Sequence, residues 1–246
     1  MLTPDRARAA IADIRSDGAG PLNLNFFCHR VPVTDPERDR RWRALLEAYY
    51  LERGLNPQMP WPTAERAPFD ETWCALVEEI RPEVVSFHFG LPGPALFERV
   101  RATGTRILSS ATTVAEARWL EQHGCDAIIV MGAEAGGHRA TFLAIDGVPP
   151  ASTLAMAKQS GTFALVPQVA KAVTVPVIAA GGIADARGVA AALALGASAV
   201  QVGTAYLFTP EAALAPAHRR ALEAAEADDT AMTNLFTGRR EASSTG

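Results

Sequence analysis

Three things are scarce in this 246-residue chain: cysteine, net positive charge and long uncharged runs. The three cysteines, Cys28, Cys74 and Cys125, are odd in number, far apart and form no Cys-x-x-Cys pair. A disulfide framework is therefore not implied, and their apolar settings suit buried, reduced thiols in a cytoplasmic protein. A net charge of −4 and a pI near 5.8 give no electrostatic reason to expect nucleic acid, although a local basic pocket could still take an acidic ligand. One stretch, Val189 to Phe208, lacks charged side chains, yet Gly196-Ala-Ser splits it into a helix end and a strand start. It reads as part of an α/β unit and not as a membrane span. Residues 1–17 alternate charge with Ala and Ile at helical spacing, which is a helix pattern and not a secretory signal.

What is present suits one core. At this length a barrel of alternating strands and helices fits as a single domain, and 48% hydrophobic with 20% charged residues is ordinary for an enzyme. Thr3-Pro4-Asp5 starts a helix that Gly18 closes. Pro21 to Phe27 is a strand whose period of two sets Asn23 and Asn25 against Leu22, Leu24 and Phe26. Those two Asn could face a ligand or pair with core neighbours. Residues 30–69 hold a charged helix around Arg38 to Leu51 and a proline-rich loop, an insertion too short for its own core. Helix Glu71 to Ile80 precedes strand Val84 to Gly90, where Ser86 and His88 share one face and Val85, Phe87 and Phe89 the other.

From there the grammar repeats. Strand Arg106 to Ser110 leads to a capping box at Thr113 and Glu116, a helix to His123 and a stop at Gly124. Strand 127–131 follows, then helical segments over 151–173, strand Val175 to Ala180, a helix from Asp185 to Leu195, and strand Ala199 to Val202. A helix around His218 to Ala227 and a polar tail, expected to fray, end the chain. Strand, loop, helix, glycine, strand argues for parallel strands with helical crossovers. The unusual residues lie in loops after strands, which favours a TIM (β/α)8-type barrel, with about six of the eight strands visible.

The stretch from Asp126 to Phe142 stands out. An apolar strand breaks at Gly132 into Ala-Glu-Ala-Gly-Gly-His-Arg, holding the imidazole of His138 at a sheet rim beside Gly136 and Gly137. Two more glycine signals end strands, Gly181-Gly182 before Asp185 and Gln201-Val202-Gly203-Thr204. Loops after late barrel strands, together with a helix N-terminus, suit a phosphate. Each signal alone is weak, since glycine after a strand is common and a histidine beside Gly-Gly can simply cap a loop.

These runs resemble the flavin-dependent nitronate monooxygenases, from about Pro21 to Gly238, with Glu-Ala-Gly-Gly-His the most specific part. The resemblance implies a TIM barrel binding FMN that oxidises alkyl nitronates with O2 to a carbonyl compound and nitrite. It implies His138 as the catalytic residue. It implies flavin contacts at Asn25, Met131, Gly132, Gly136, Gly137, Gly181, Gly182, Gln201, Val202, Gly203 and Thr204. His88 and Ser109 are candidates for the substrate pocket. No metal, nucleic acid or membrane partner is implied, and a homo-oligomer is compatible.

Three departures accompany it. Met131 stands where the family commonly has a flavin-bonding Gln, and Ala140 replaces a glycine. The family also opens with two barrel strands carrying a Pro-Met flavin contact and runs on past Gly238. Nothing before Pro21 reads as either strand, so a truncated barrel is expected. A related flavin-dependent enoyl-acyl-carrier-protein reductase and an inactive, open barrel are the competing readings.

Overall fold

Apolar runs too short for a helix alternate with capped helical segments, and in space they form a single-layered parallel arc. The computed structural model describes residues 3–18, 20–31, 35–60, 67–144, 147, 149–150, 159–225, 230–233 and 241–244. Strands β1 (Asn23–Phe27), β2 (Val84–His88), β3 (Arg106–Ala111), β4 (Ala127–Met131), β6 (Val177–Ala180) and β7 (Ala199–Gln201) pair in parallel, in chain order. That order never reverses, so there is no topological switch point of the doubly wound kind; this is the arc of a β/α barrel. Between β4 and β6 the chain makes the two-residue strand β5 (Gly137–His138).

Helices α3 (Glu71–Ile80), α4 (Pro94–Ala102), α5 (Val114–Gln122), α6 (Thr162–Ala170) and α7 (Ala186–Ala194) cross between strands. Their starts are local chemistry. The side chains of Asp70, Thr113 and Asp185 accept from the amides of Trp73, Glu116 and Gly188 at 3.1, 3.1 and 2.8 Å. α1 (Pro4–Ser16) is capped by Thr3, and α2 (Pro36–Glu52), within the 30–69 segment, buries none of its described residues. On the helix side of the sheet, Val85, Phe87, Ile107, Ile128, Val130, Val177 and Ala179 form the core with Val77, Leu120, Leu165 and Val166. At about 25 cal/mol per Å² of apolar area, this face is the main stabiliser of the sheet. The inner face therefore carries the alternate residues, largely polar on β1–β3 (Asn23, Asn25, Ser86, His88 and Ser110, with Phe27, Val84 and Leu108 among them) and apolar on β4 and β6 (Ile129, Met131, Ile178, Ala180).

Three expectations change, and a fourth is met where it is described. Helix α4 was not foreseen; Gly93 is the N-cap, Pro94 starts the helix, and Phe97 and Val100 bury its inner stripe. Glu116 does not close a capping box. Its buried carboxylate accepts from Thr112 N and Oγ1 at 2.7 and 2.8 Å, and from the amides of Phe142 and Leu143 at 2.7 and 3.1 Å. The helical segments expected over 151–173 are represented by α6, with 151–158 outside the described residues. The tail expected to fray forms β8 (Thr230–Thr233) and β9 (Glu241–Ser244) after α8 (Pro216–Ala224), and β9 pairs antiparallel with β5, His138 opposite Glu241. Pairing gives the backbone of the His138 loop hydrogen-bond partners that a free strand edge lacks. The uncharged run Val189–Phe208 divides among α7, β7 and a 3-10 helix, Thr204–Phe208, and no helix among the described residues is long and apolar enough to cross a membrane.

Candidate active site at the carboxyl ends of the strands

His138 projects from the loop after β4 toward the ends of β1 and β2. Its ring meets Phe27 edge to face at 5.7 Å and Phe89 at 6.2 Å, while remaining partly exposed. Its backbone carbonyl is held by His88, whose Nε2 lies 2.9 Å away. A carbonyl only accepts, so His88 carries its proton on Nε2, and Nδ1 accepts from the Ser110 hydroxyl at 3.2 Å. Burial pushes the His88 pKa down to about 4, so it is neutral at physiological pH. His88 therefore supports the loop beneath His138, and its two ring nitrogens are committed to that work.

Phe89 breaks the alternation expected of strand 84–90. At φ +68° it occupies the left-handed region, which costs a bulky residue roughly 1–2 kcal/mol. The twist brings its ring back to the inner side, 4.6 Å from His88, 5.6 Å from Phe27 and 6.2 Å from His29. Sequence reasoning missed Phe27, His29 and Phe89. For Phe27 the signal was available, because it lies two residues beyond Asn25 and so shares its face.

On the other side of the rim the glycine loops converge. Gly132 donates its amide to the Ala180 carbonyl at 3.1 Å, and a methyl group on it would collide with the Thr162 backbone at the start of α6. Gly181, at φ +112°, sits so close that a Cβ would lie 2.7 Å from the Ala135 amide and 2.8 Å from Thr162 Oγ1. Gly182 borders Glu134, and a Cβ on Gly136 would press on Thr204 Oγ1 at 3.3 Å. The loops after β4, β6 and β7 are thus neighbours.

Charged side chains lock this arrangement. The Glu134 carboxylate accepts from the Thr162 amide at 2.8 Å, so the loop caps α6 from outside the helix. Buried Arg139 donates through Nη2 to the Met131 carbonyl at 3.0 Å and to Gln159 Oε1 at 2.7 Å, and through Nη1 to the Gly132 carbonyl. Burial lowers its pKa to about 10, so it stays charged. The N-terminus of α7 already holds an anion, since Asp185 binds the Gly188 amide and pairs with Arg187 at 3.0 Å. A phosphate at this rim would rest on the glycine loops.

Gly203 is the informative glycine for that question. Its φ of −114° is open to any residue, and no described atom lies within 4 Å of where a Cβ would sit. Nothing in the described chain demands glycine there, and the open space above it leaves room for a ligand. The residues fit a flavin phosphate on that ground.

Most of the expected site residues share this rim: His138, Met131, Gly132, Gly136, Gly137, Gly181, Gly182, Gln201, Val202, Gly203 and Thr204 lie at the ends of β4, β6 and β7 or in the loops beyond. Asn25 lies on the inner face of β1, where its Oδ1 accepts from Ser86 Oγ at 2.9 Å and Ser86 Oγ accepts from Asn23 Nδ2 at 3.0 Å. Of the two sequence readings of those Asn, pairing with neighbours is what the hydrogen bonds show. Ser109 does not join the site. Alternation puts it on the helix side with Ile107 and Ala111, fully buried, its Oγ within 3.1 Å of the Phe87 carbonyl and 3.0 Å of the Gly90 carbonyl. Its neighbour Ser110 faces inward instead.

A parallel β/α half-barrel with a histidine and glycine loops at its carboxyl rim defines a β/α-barrel class of protein. The chain belongs to the nitronate monooxygenase family, whose model matches residues 1–243. It is 41% identical over 236 residues to a nitronate monooxygenase of Pseudomonas aeruginosa, a match covering 96% of this chain and 65% of that protein. It superposes on the nitroalkane oxidase of Streptomyces ansochromogenes with a TM-score of 0.85 at 33% identity, covering 98% of this chain and 66% of that one. FabK from Thermotoga maritima is similar at TM-score 0.69 and 27% identity, over 99% of this chain and 60% of that one. The chain spans just under two thirds of the length of the curated relatives it matches.

Proposed function

We propose that this chain is the flavin-binding barrel domain of an FMN-dependent nitronate monooxygenase, with residues 30–69 as an insertion. In this reading it converts an alkyl nitronate and O2 to a carbonyl compound and nitrite. The observation that carries the proposal is the convergence of His138 and the glycine loops of β4, β6 and β7 on one rim, with open space over Gly203. Family membership supports it. Gly181, Gly182, Gly203 and Thr204 would hold the FMN phosphate, with Asn25, Met131 and Gln201 toward the ring. FMN supplies the electron chemistry when bound. A protonated His138 imidazole binds the anionic nitronate, and a neutral one removes the proton alpha to a nitro group. Phe27 and Phe89 exclude water from one side of that imidazole. Free Cys28, Cys74 and Cys125 suit a cytoplasmic location, and a homo-oligomer is compatible.

The protein reconstituted with FMN is expected to release nitrite from propionate 3-nitronate. His138→Asn is expected to lose about a hundredfold or more of turnover while retaining flavin. Retained turnover in that variant, or a chain that neither binds FMN nor releases nitrite, overturns the proposal. NADH oxidation coupled to an enoyl thioester, without nitrite, would support the reductase reading instead.

A further inference from the structure

Two consecutive residues, Phe89 and Gly90, take positive φ values of +68° and +88°. The chain needs a left-handed turn at the end of β2, and glycine is the residue that makes one without strain. At position 90 a Cβ would also be tightly packed, 3.1 Å from the Phe142 ring. At position 89 a phenylalanine is kept in a conformation that large side chains avoid, and such strain persists where the surroundings impose it and use it.

The use is visible in where the ring goes. Regular alternation would send Phe89 to the helix side with Val85 and Phe87; the left-handed backbone turns it inward instead. There it stands perpendicular to Phe27, with ring centroids 5.6 Å apart and planes at 81°. The His138 imidazole meets both rings, at 67° to Phe27 and 75° to Phe89. His88 holds the same residue's carbonyl from below at 2.9 Å. Backbone and ring of His138 are thus fixed by different groups.

We propose that Phe89 is a positioning residue for the His138 imidazole, its strained backbone serving to place the ring that, with Phe27, fixes the imidazole plane. The catalytic part of this inference rests on the nitronate reading; the positional part does not. Two variants separate them. Phe89→Leu keeps bulk and strain but removes the aromatic face, and Phe89→Gly removes the strain as well.

Three measurements are made on the FMN-reconstituted chain: the His138 ring-proton resonances, assigned with His138→Asn; kcat and KM for propionate 3-nitronate; and the urea midpoint. In both variants the His138 resonances are expected to move toward those of an unconstrained histidine. The kcat is expected to fall about tenfold or more, with KM changed by about twofold or less. Phe89→Gly is expected to unfold at a somewhat lower urea concentration than the parent, because relief of strain offsets only part of the lost ring packing. Unmoved His138 resonances in Phe89→Leu overturn the proposal, as does an unchanged kcat in both variants. Should the parent release no nitrite, the nitronate reading fails, and the resonances still decide whether Phe89 positions His138.

Discussion

The two sides of the rim are held in place by opposite means. Around His138 the contacts are between side chains: rings at 5–6 Å and an imidazole donating to a carbonyl. Around the glycine loops the contacts are backbone against backbone, with Gly132 and Gly181 packed where even a methyl group does not fit. Side-chain packing tolerates replacement by groups of similar shape, while backbone approach tolerates none. The rim should therefore respond to substitution very differently at its two ends.

The largest effect is expected from Gly132→Ala. The added carbon would overlap the Thr162 backbone, 2.5 Å from its Cα, and no flexible side chain is there to yield. Either α6 shifts away from β4, losing the Glu134 cap on the Thr162 amide, or the loop carrying His138 is displaced. A stability loss of about 3 kcal/mol is expected, read as a lower urea midpoint at unchanged slope. A midpoint equal to the parent's would show that the glycine side is not backbone-limited, and the contrast would collapse.

On the His138 side, acid is the sharper probe. The folded-state pKa of His88 is depressed to about 4 from an ordinary 6.5, chiefly by burial. Between those values the unfolded chain binds the extra proton and the folded one does not. The stability contribution is complete above pH 6.5 and is lost as pH falls toward 4, by up to about 3 kcal/mol. Urea midpoints at pH 7.5 and 4.5 measure the loss. His88→Gln keeps a donor for the His138 carbonyl but does not titrate, so it should remove most of this difference. An unchanged pH dependence in that variant would place the acid-labile group elsewhere.

Much of this architecture was legible because its causes are local. Asp70, Thr113 and Asp185 announce helix starts within three residues of the amides they cap, and Gly124 and Gly196 announce stops at φ +89° and +100°. The six parallel strands followed from apolar runs set between such signals. What escaped depends on distance or on a single dihedral. The pairing of β9 with β5 joins residues far apart in the chain, so no local pattern reports it. Phe89 escaped because one positive φ reverses the parity that alternation assumes, and Ser109 was misassigned because its neighbour, Ser110, carries the inward hydroxyl. Gly132 was legible as a break after a strand, but the approach of Thr162 that makes it obligatory was not.

The smallest expected effect is the most discriminating for the glycine side. Gly203 resembles Gly132 and Gly181 in sequence context, each lying at or just beyond the end of a strand, yet its backbone is unstrained and the space above it is open. Gly203→Ala should therefore leave the urea midpoint of the flavin-free chain within about 0.5 kcal/mol of the parent. If that space is where the FMN phosphate rests, the methyl group must lift the phosphate off the backbone amides. Titration of FMN, followed by flavin fluorescence, should then give a Kd raised about tenfold, which corresponds to about 1.4 kcal/mol. The two readouts pull apart only if a ligand uses the space. A variant with unchanged stability and unchanged FMN affinity would remove Gly203 from the phosphate site and leave Gly181 and Gly182, whose glycine character is already explained by positive φ at both and by close packing at Gly181.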